Sequence, residues 1–148
     1  MRATIADIRK NYSQKKLTEK KADPNPMKQF AKWWKQAVDS KIDEVNAMTL
    51  ATASSDGMPS ARIVLLKGVE ENGFIFFTNY ESYKGKQLAE NPKACLVFFW
   101  KELERQIRIT GLIEKISTAS SDVYFYSRPV ESQIGAIASP QSQIIKSR

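Results

Sequence analysis

Within thirteen residues, Tyr124-Phe125-Tyr126-Ser127-Arg128-Pro129-Val130-Glu131-Ser132-Gln133-Ile134-Gly135-Ala136, the chain gathers groups that suit a phosphate ester. Proline disfavours helical geometry at the residue before it and is favoured in the first turn of a helix. Arg128 is therefore predicted to be extended and Pro129 to open a helix. A helix start offers unpaired N–H groups and a partial positive charge. Ser132 in that first turn adds a hydroxyl, Tyr124 a phenol, and Arg128 a bidentate fork. Such a set would hold a small phosphorylated ligand. The same residues would also serve a plain helix–turn–helix junction with a surface arginine and a capping serine.

A second cluster repeats the theme. Phe77-Thr78-Asn79, followed by Ser82-Tyr83-Lys84-Gly85-Lys86, sets hydroxyls and lysines at another helix start. Upstream, Arg62-Ile63-Val64-Leu65-Leu66-Lys67 carries a cation at each end of an apolar strand segment. Alone, that pair only marks where a buried strand surfaces.

Composition removes more chemistry than it suggests. The 148 residues contain no histidine, so a Ser-His-Asp triad, a His-bound zinc and an imidazole base are excluded. With Cys95 as the one cysteine, no disulfide framework or transition-metal site is expected. If the chain is an enzyme, an organic cofactor supplies the difficult chemistry. Cys95 lies in the apolar run Ala94–Trp100 and reads as a core thiol in a reducing, cytoplasmic setting. No uncharged run approaches the roughly 18 residues of a membrane span, and the polar N-terminus is unlike a signal peptide. The six glycines form neither a dinucleotide fingerprint nor a P-loop.

The net charge of +7 is unevenly placed. Residues 1–22 hold seven Lys/Arg against Asp7 and Glu19, whereas the remainder sets 16 Lys/Arg against 14 acidic residues. A basic tail (1–22) and a nearly balanced domain (23–148) are thus expected. No zinc-finger, recognition-helix or RNP signature accompanies the tail, so no nucleic-acid partner is expected.

Several elements must position these groups. Asn25-Pro26 starts a helix whose apolar residues, Met27, Phe30, Ala31, Trp34, Ala37 and Val38, recur at helical spacing through Ser40. Strands are predicted at 47–53, 61–67, 74–78, 94–100 and 105–115, with hairpin turns at Ser54-Ser55-Asp56-Gly57 and Glu70-Glu71-Asn72-Gly73. A short helix fills 82–91 and stops before Pro92. Strands in succession joined by short turns favour an antiparallel sheet closing on itself, so the fold is read as mainly β, a small β-barrel with flanking α-helices.

Five segments in order, Arg62–Lys67, Phe77–Lys86, Leu103-Glu104-Arg105-Gln106, Ser127-Arg128-Pro129 and Pro140-Gln141-Ser142, resemble the pyridoxamine 5'-phosphate oxidase family of flavoproteins. The likeness runs from about Ile5 to Ser142 and includes Arg9-Lys10-Asn11-Tyr12. It implies an FMN-binding split β-barrel working as a homodimer. It also implies oxidation of pyridoxamine or pyridoxine 5'-phosphate to pyridoxal 5'-phosphate by hydride transfer to the flavin, with O2 as final acceptor. By matching motif, Arg62, Ile63, Val64, Leu65, Leu66 and Lys67 would line FMN, as would Phe77, Thr78, Ser82, Tyr83, Lys84, Gln106, Gln141 and Ser142. Lys67, Tyr124, Arg128 and Ser132 would hold the substrate phosphate, with Arg9 and Tyr12 folding over it. No side chain is assigned as an acid or base.

Two features depart from the family pattern. Tyr83 stands where many members carry a second phosphate-binding arginine. The family's C-terminal strands, with a Trp and an Arg-Leu-His-Asp-Arg signature, would lie past Arg148, so residues 1–148 are expected to bind FMN weakly and to turn over slowly or not at all. Two rivals are a flavin-binding split barrel without this oxidase activity and a polyanion-binding module built on the basic tail.

Overall fold

The structure is a computed structural model and describes residues 4–13, 17–70, 73–138 and 141–142. The chain divides into two compact units, one of Met1–Val45 with Phe99–Gln106 and one of Asn46–Phe98 with Ile107–Arg148.

In the first unit, helix α1 (Pro26–Asp39) begins as its sequence predicts. The Asn25 side chain accepts hydrogen bonds from the N–H groups of Met27 and Lys28, and Pro26 stands where a missing N–H costs nothing. Its inner face buries Phe30 and Ala37, and Phe30 and Trp34 pack with Trp100, which is 2% exposed. The Trp100 indole N–H donates to the Val45 carbonyl at 3.0 Å. Glu104 adopts a left-handed backbone, with φ 51°. Its carboxylate accepts from the Ser13 N–H at 2.9 Å and lies 3.4 Å from the Lys10 ammonium, so this stretch of the tail is tied down.

The second unit is built on an antiparallel sheet. Strands β1 (Ala47–Ala53) and β2 (Pro59–Leu65) form the expected hairpin, with Gly57 at φ +89°, where a side chain would be strained. The sheet order is β2-β1-β5-β6, where β5 is Lys93–Trp100 and β6 is Arg105–Leu112. Alternation on β1 and β5 sends Met48, Leu50, Thr52, Ala94, Leu96 and Phe98 to one buried face. A small hairpin, β3 (Gly68–Glu70) with β4 (Gly73–Ile75), stands as a separate two-stranded sheet. Helix α2 (Tyr83–Glu90) packs against β1, while α3 (Thr118–Ser127) and α4 (Val130–Ala138) follow the sheet.

The structure refines several expectations. Among the described residues no ladder joins the two sheets into a closed barrel. The strand expected over 74–78 ends at Ile75, and the one expected to reach Lys115 ends at Leu112. The run Arg62–Lys67 is not buried on both faces: β2 is an edge strand, and Ile63 is 64% and Leu65 36% exposed. Four consecutive apolar residues conceal which face is which, because alternation disappears from the sequence.

Candidate functional site

Cross-strand register places Arg62 opposite Leu50 and Ser60 opposite Thr52. The Arg62 guanidinium donates through Nη1 to the Thr52 hydroxyl at 2.7 Å and to the Leu50 carbonyl at 3.1 Å, and Nη2 reaches Gln87 Oε1 at 3.5 Å. The Thr52 hydroxyl in turn donates to Gln87 Oε1 at 2.7 Å, and Gln87 Nε2 donates to Ser60 Oγ at 3.1 Å. Thr52 and Gln87 are 4% and 3% exposed, so a satisfied polar network is sealed between the sheet and α2.

Every acceptor in that network is neutral. Among the described residues no carboxylate pairs with Arg62 or with Lys84. Burial lowers the pKa of Arg62, with Tyr83 opposing the shift. Burial, and then the Arg62 charge, pull Lys84 below the ordinary lysine value. Two partly desolvated cations without a paired carboxylate among the described residues are chemically suited to an anion.

The start of α2 is held tightly. Ser82 is fully buried, and its hydroxyl is spent as a cap, accepting from the Gly85 N–H at 3.3 Å and donating to the Asn79 carbonyl at 2.6 Å. At Gly85 a Cβ would run into the Tyr80 carbonyl oxygen, so only glycine allows this approach. Thr78 Oγ1 is buried with no hydrogen-bond partner, a polar atom poised for a ligand. Lys84 Nζ donates to Gln141 Oε1 at 2.7 Å, which brings the segment after α4 to the same cation.

The predicted phosphate segment is arranged around a ring stack. Phe77 and Tyr124 lie face to face with centroids 3.6 Å apart and planes 7° from parallel, and Lys67 Nζ sits 6.0 Å from the Tyr124 centroid. Arg128 is extended as predicted, with ψ 152°, and caps α3. Pro129 stands just before α4, not inside it, and its carbonyl accepts from the N–H groups of Ser132 and Gln133. The Arg128 carbonyl accepts from Gln133 Nε2 at 2.8 Å, which closes the junction. Arg128 and Ser132 are half-buried.

Three predicted residues belong to the first unit. Arg9 is exposed and donates through Nε to the Ala6 carbonyl at 3.2 Å, Tyr12 is 69% exposed, and Gln106 is exposed on β6. In the second unit Val64 is half-buried, Leu66 buried, and Tyr83 and Ser142 exposed. Thr52, Ser60 and Gln87 were missed by sequence reasoning. The signal that could have found the first two is a polar pair set opposite one another at a core-facing hairpin position.

A cavity of about 790 Å³ lies in the second unit, lined by Phe74, Phe76, Tyr80, Leu88, Ile113 and others. It shares Phe77, Thr78, Tyr80 and Gly85 with the residues above but contains none of Arg62, Lys67, Lys84, Tyr124 or Arg128, so the candidate site is drawn around the cations. Among the described residues no cluster could hold a metal ion, and no helix is long and apolar enough to cross a membrane.

Fold and site together define an antiparallel β protein with flanking helices and two partly buried cations, one on an edge strand and one at a helix start. A profile of the pyridoxamine 5'-phosphate oxidase family matches residues 34–148. A pyridoxine/pyridoxamine 5'-phosphate oxidase of Nostoc sp. PCC 7120 is 59% identical over 148 residues, covering 100% of this chain and 69% of the relative. Its counterpart in Paraburkholderia phymatum is 60% identical over 146 residues, covering 99% and 69%. Among solved structures, PhzG from Burkholderia lata 383, in complex with tetrahydrophenazine-1-carboxylic acid, superposes with a TM-score of 0.86 at 30% identity, covering 93% of this chain and 69% of PhzG. A pyridoxamine 5'-phosphate oxidase-related, FMN-binding protein from Nostoc punctiforme PCC 73102 shares the fold, with a TM-score of 0.64 at 17% identity over 84% of this chain and 70% of its own. The chain belongs to the pyridoxamine 5'-phosphate oxidase family.

Proposed function

We propose that the protein is an FMN-dependent oxidase that converts pyridoxamine or pyridoxine 5'-phosphate to pyridoxal 5'-phosphate, with O2 as the electron acceptor. The carrying observation is that Arg62 and Lys84 are both held by neutral acceptors and that neither has a paired carboxylate among the described residues. The names of relatives at 59% and 60% identity support the choice of substrate.

The residues fit FMN. Arg62 and Lys84 supply charge for its phosphate, and the unpaired Thr78 hydroxyl awaits a polar partner. Ile63, Val64, Leu65, Leu66, Lys67 and Phe77 would line the ring system, with Ser82 and Tyr83 at the start of α2 and with Gln106, Gln141 and Ser142 completing the site. FMN, when bound, supplies the two-electron acceptor that amine-to-aldehyde or alcohol-to-aldehyde oxidation needs. The protein contributes orientation. Lys67, Tyr124, Arg128 and Ser132 would anchor the substrate phosphate, with Arg9 and Tyr12 closing over it. Anchoring two phosphates fixes both partners face to face, which is worth up to about 7–11 kcal/mol of a bimolecular barrier.

A homodimer with a split barrel in each protomer belongs to this reading. Its support is the exposed apolar surface of β2 and α4, where Ile63, Ile134 and Ile137 are 64%, 58% and 77% exposed. A barrel domain over 23–148 and a basic tail over 1–22 complete the proposal. Titration with FMN, followed by sedimentation and by peroxide release on adding pyridoxamine 5'-phosphate, tests it. One FMN per chain, a dimer and slow peroxide release from residues 1–148 are expected; a monomer without affinity for FMN contradicts it.

A further inference from the structure

The uncompensated charge on Arg62 is a consequence of what surrounds it. A guanidinium bonded to two side chains could have met an acidic partner at either, yet Thr52 and Gln87 are neutral, as is Ser60, which Gln87 holds in turn. Gln87 is the hub. Its carbonyl accepts from the Thr52 hydroxyl and from Arg62 Nη2, its amide donates to Ser60, and it is 3% exposed on the inner face of the helix that also carries Lys84.

We infer that Gln87 is a positioning residue. Through a neutral cradle with Thr52 and Ser60 it fixes the direction of the Arg62 guanidinium and leaves its positive charge available, and so sets the affinity for the FMN phosphate without touching it. This rests on the proposed binding of FMN at Arg62 and Lys84. A purely structural role for Gln87 makes a different demand: any side chain of the same shape that satisfies Thr52 and Ser60 should then serve.

Gln87→Glu separates the two roles. Glutamate keeps the shape and the acceptor for Thr52 and Arg62, and the Ser60 hydroxyl can turn to donate, so the network stays hydrogen-bonded. The new carboxylate, however, supplies the counter-charge that the native site lacks. The experiment measures affinity of the purified protein for FMN and for riboflavin, the same ring system without the phosphate, alongside the melting temperature. Gln87→Glu is expected to keep the wild-type melting temperature and riboflavin affinity while FMN affinity falls on the order of tenfold or more, the loss of one charged hydrogen bond. Thr52→Val, which removes the acceptor 2.7 Å from Arg62 Nη1, is expected to weaken FMN binding less, again without affecting riboflavin. Unchanged FMN affinity in Gln87→Glu, or equal loss of FMN and riboflavin, overturns the inference. Wild-type protein that binds FMN no better than riboflavin overturns the underlying FMN-phosphate reading, and the inference with it.

Discussion

The starts of α2 and α4 carry similar side chains, hydroxyls and a cation beside a helix N-terminus, yet they are built differently. The first is sealed: Ser82, Gly85 and Gln87 are buried, and the cap, the close backbone approach and the network with Thr52 leave little freedom. The second stands open. Neither α3 nor α4 buries a single residue, and Val123, Tyr126, Val130, Ile134 and Ile137 are 73%, 73%, 67%, 58% and 77% exposed. The difference teaches that the proposed cofactor half is preorganised by this chain's own packing, whereas the proposed substrate half carries an apolar surface suited to a covering partner.

The sharpest way to break this contrast is at the two glycines. Gly85→Ala drives a methyl into the Tyr80 carbonyl, against backbone that cannot give way, and is expected to destabilise by at least the upper end of the roughly 1–3 kcal/mol usual for overpacking. At Gly135 nothing lies within 4 Å, so Gly135→Ala is expected to stabilise by roughly 0.5–1 kcal/mol through helix propensity. Denaturant unfolding of both variants checks the pair, and similar effects of the same sign would erase the distinction.

Ligand affinities sharpen it further. Arg128→Ala is expected to weaken binding of pyridoxal 5'-phosphate by about 1.5–3 kcal/mol while FMN binding survives, and Arg62→Ala is expected to do the reverse. Equal loss of both ligands in either variant would mean that the two helix starts do not form separate sites.

A smaller effect is expected from pH. Burial and the Arg62 charge hold Lys84 below 10.5, so its charged form is disfavoured in the folded chain. That cost is fully present below the folded-state value and fades as pH rises from there toward the unfolded one. A bound phosphate favours the charged form, so FMN affinity should decline with rising pH through this window, starting below pH 10.5. Lys84→Met should bind more weakly and lack that alkaline slope, which titrations at several pH values would reveal.

Local signals were legible in the sequence. The Asn25-Pro26 helix start, the hairpin turn ending at Gly57, the short helix beginning near Ser82 and the extended Arg128 all came through, because each depends on residues within a turn of one another. What stayed hidden depends on register and on helix rotation. The Arg62–Gln87 contact spans 25 positions and exists only because β2 pairs with β1 as it does and α2 turns Gln87 inward. The Phe77–Tyr124 stack joins segments that no periodicity connects. At the end of β2 and just past it, Ile63-Val64-Leu65-Leu66 read as a buried run, because an unbroken apolar stretch does not say that one of its faces is open.

The most direct test of the functional claim is a single anaerobic turnover. Protein loaded with FMN is mixed with pyridoxamine 5'-phosphate in the absence of oxygen, and the yellow flavin absorbance is followed. The expected result is slow bleaching of that absorbance with formation of pyridoxal 5'-phosphate, and return of the colour with peroxide release when oxygen is admitted. An absorbance that persists although FMN and pyridoxamine 5'-phosphate are both bound would contradict the oxidase assignment.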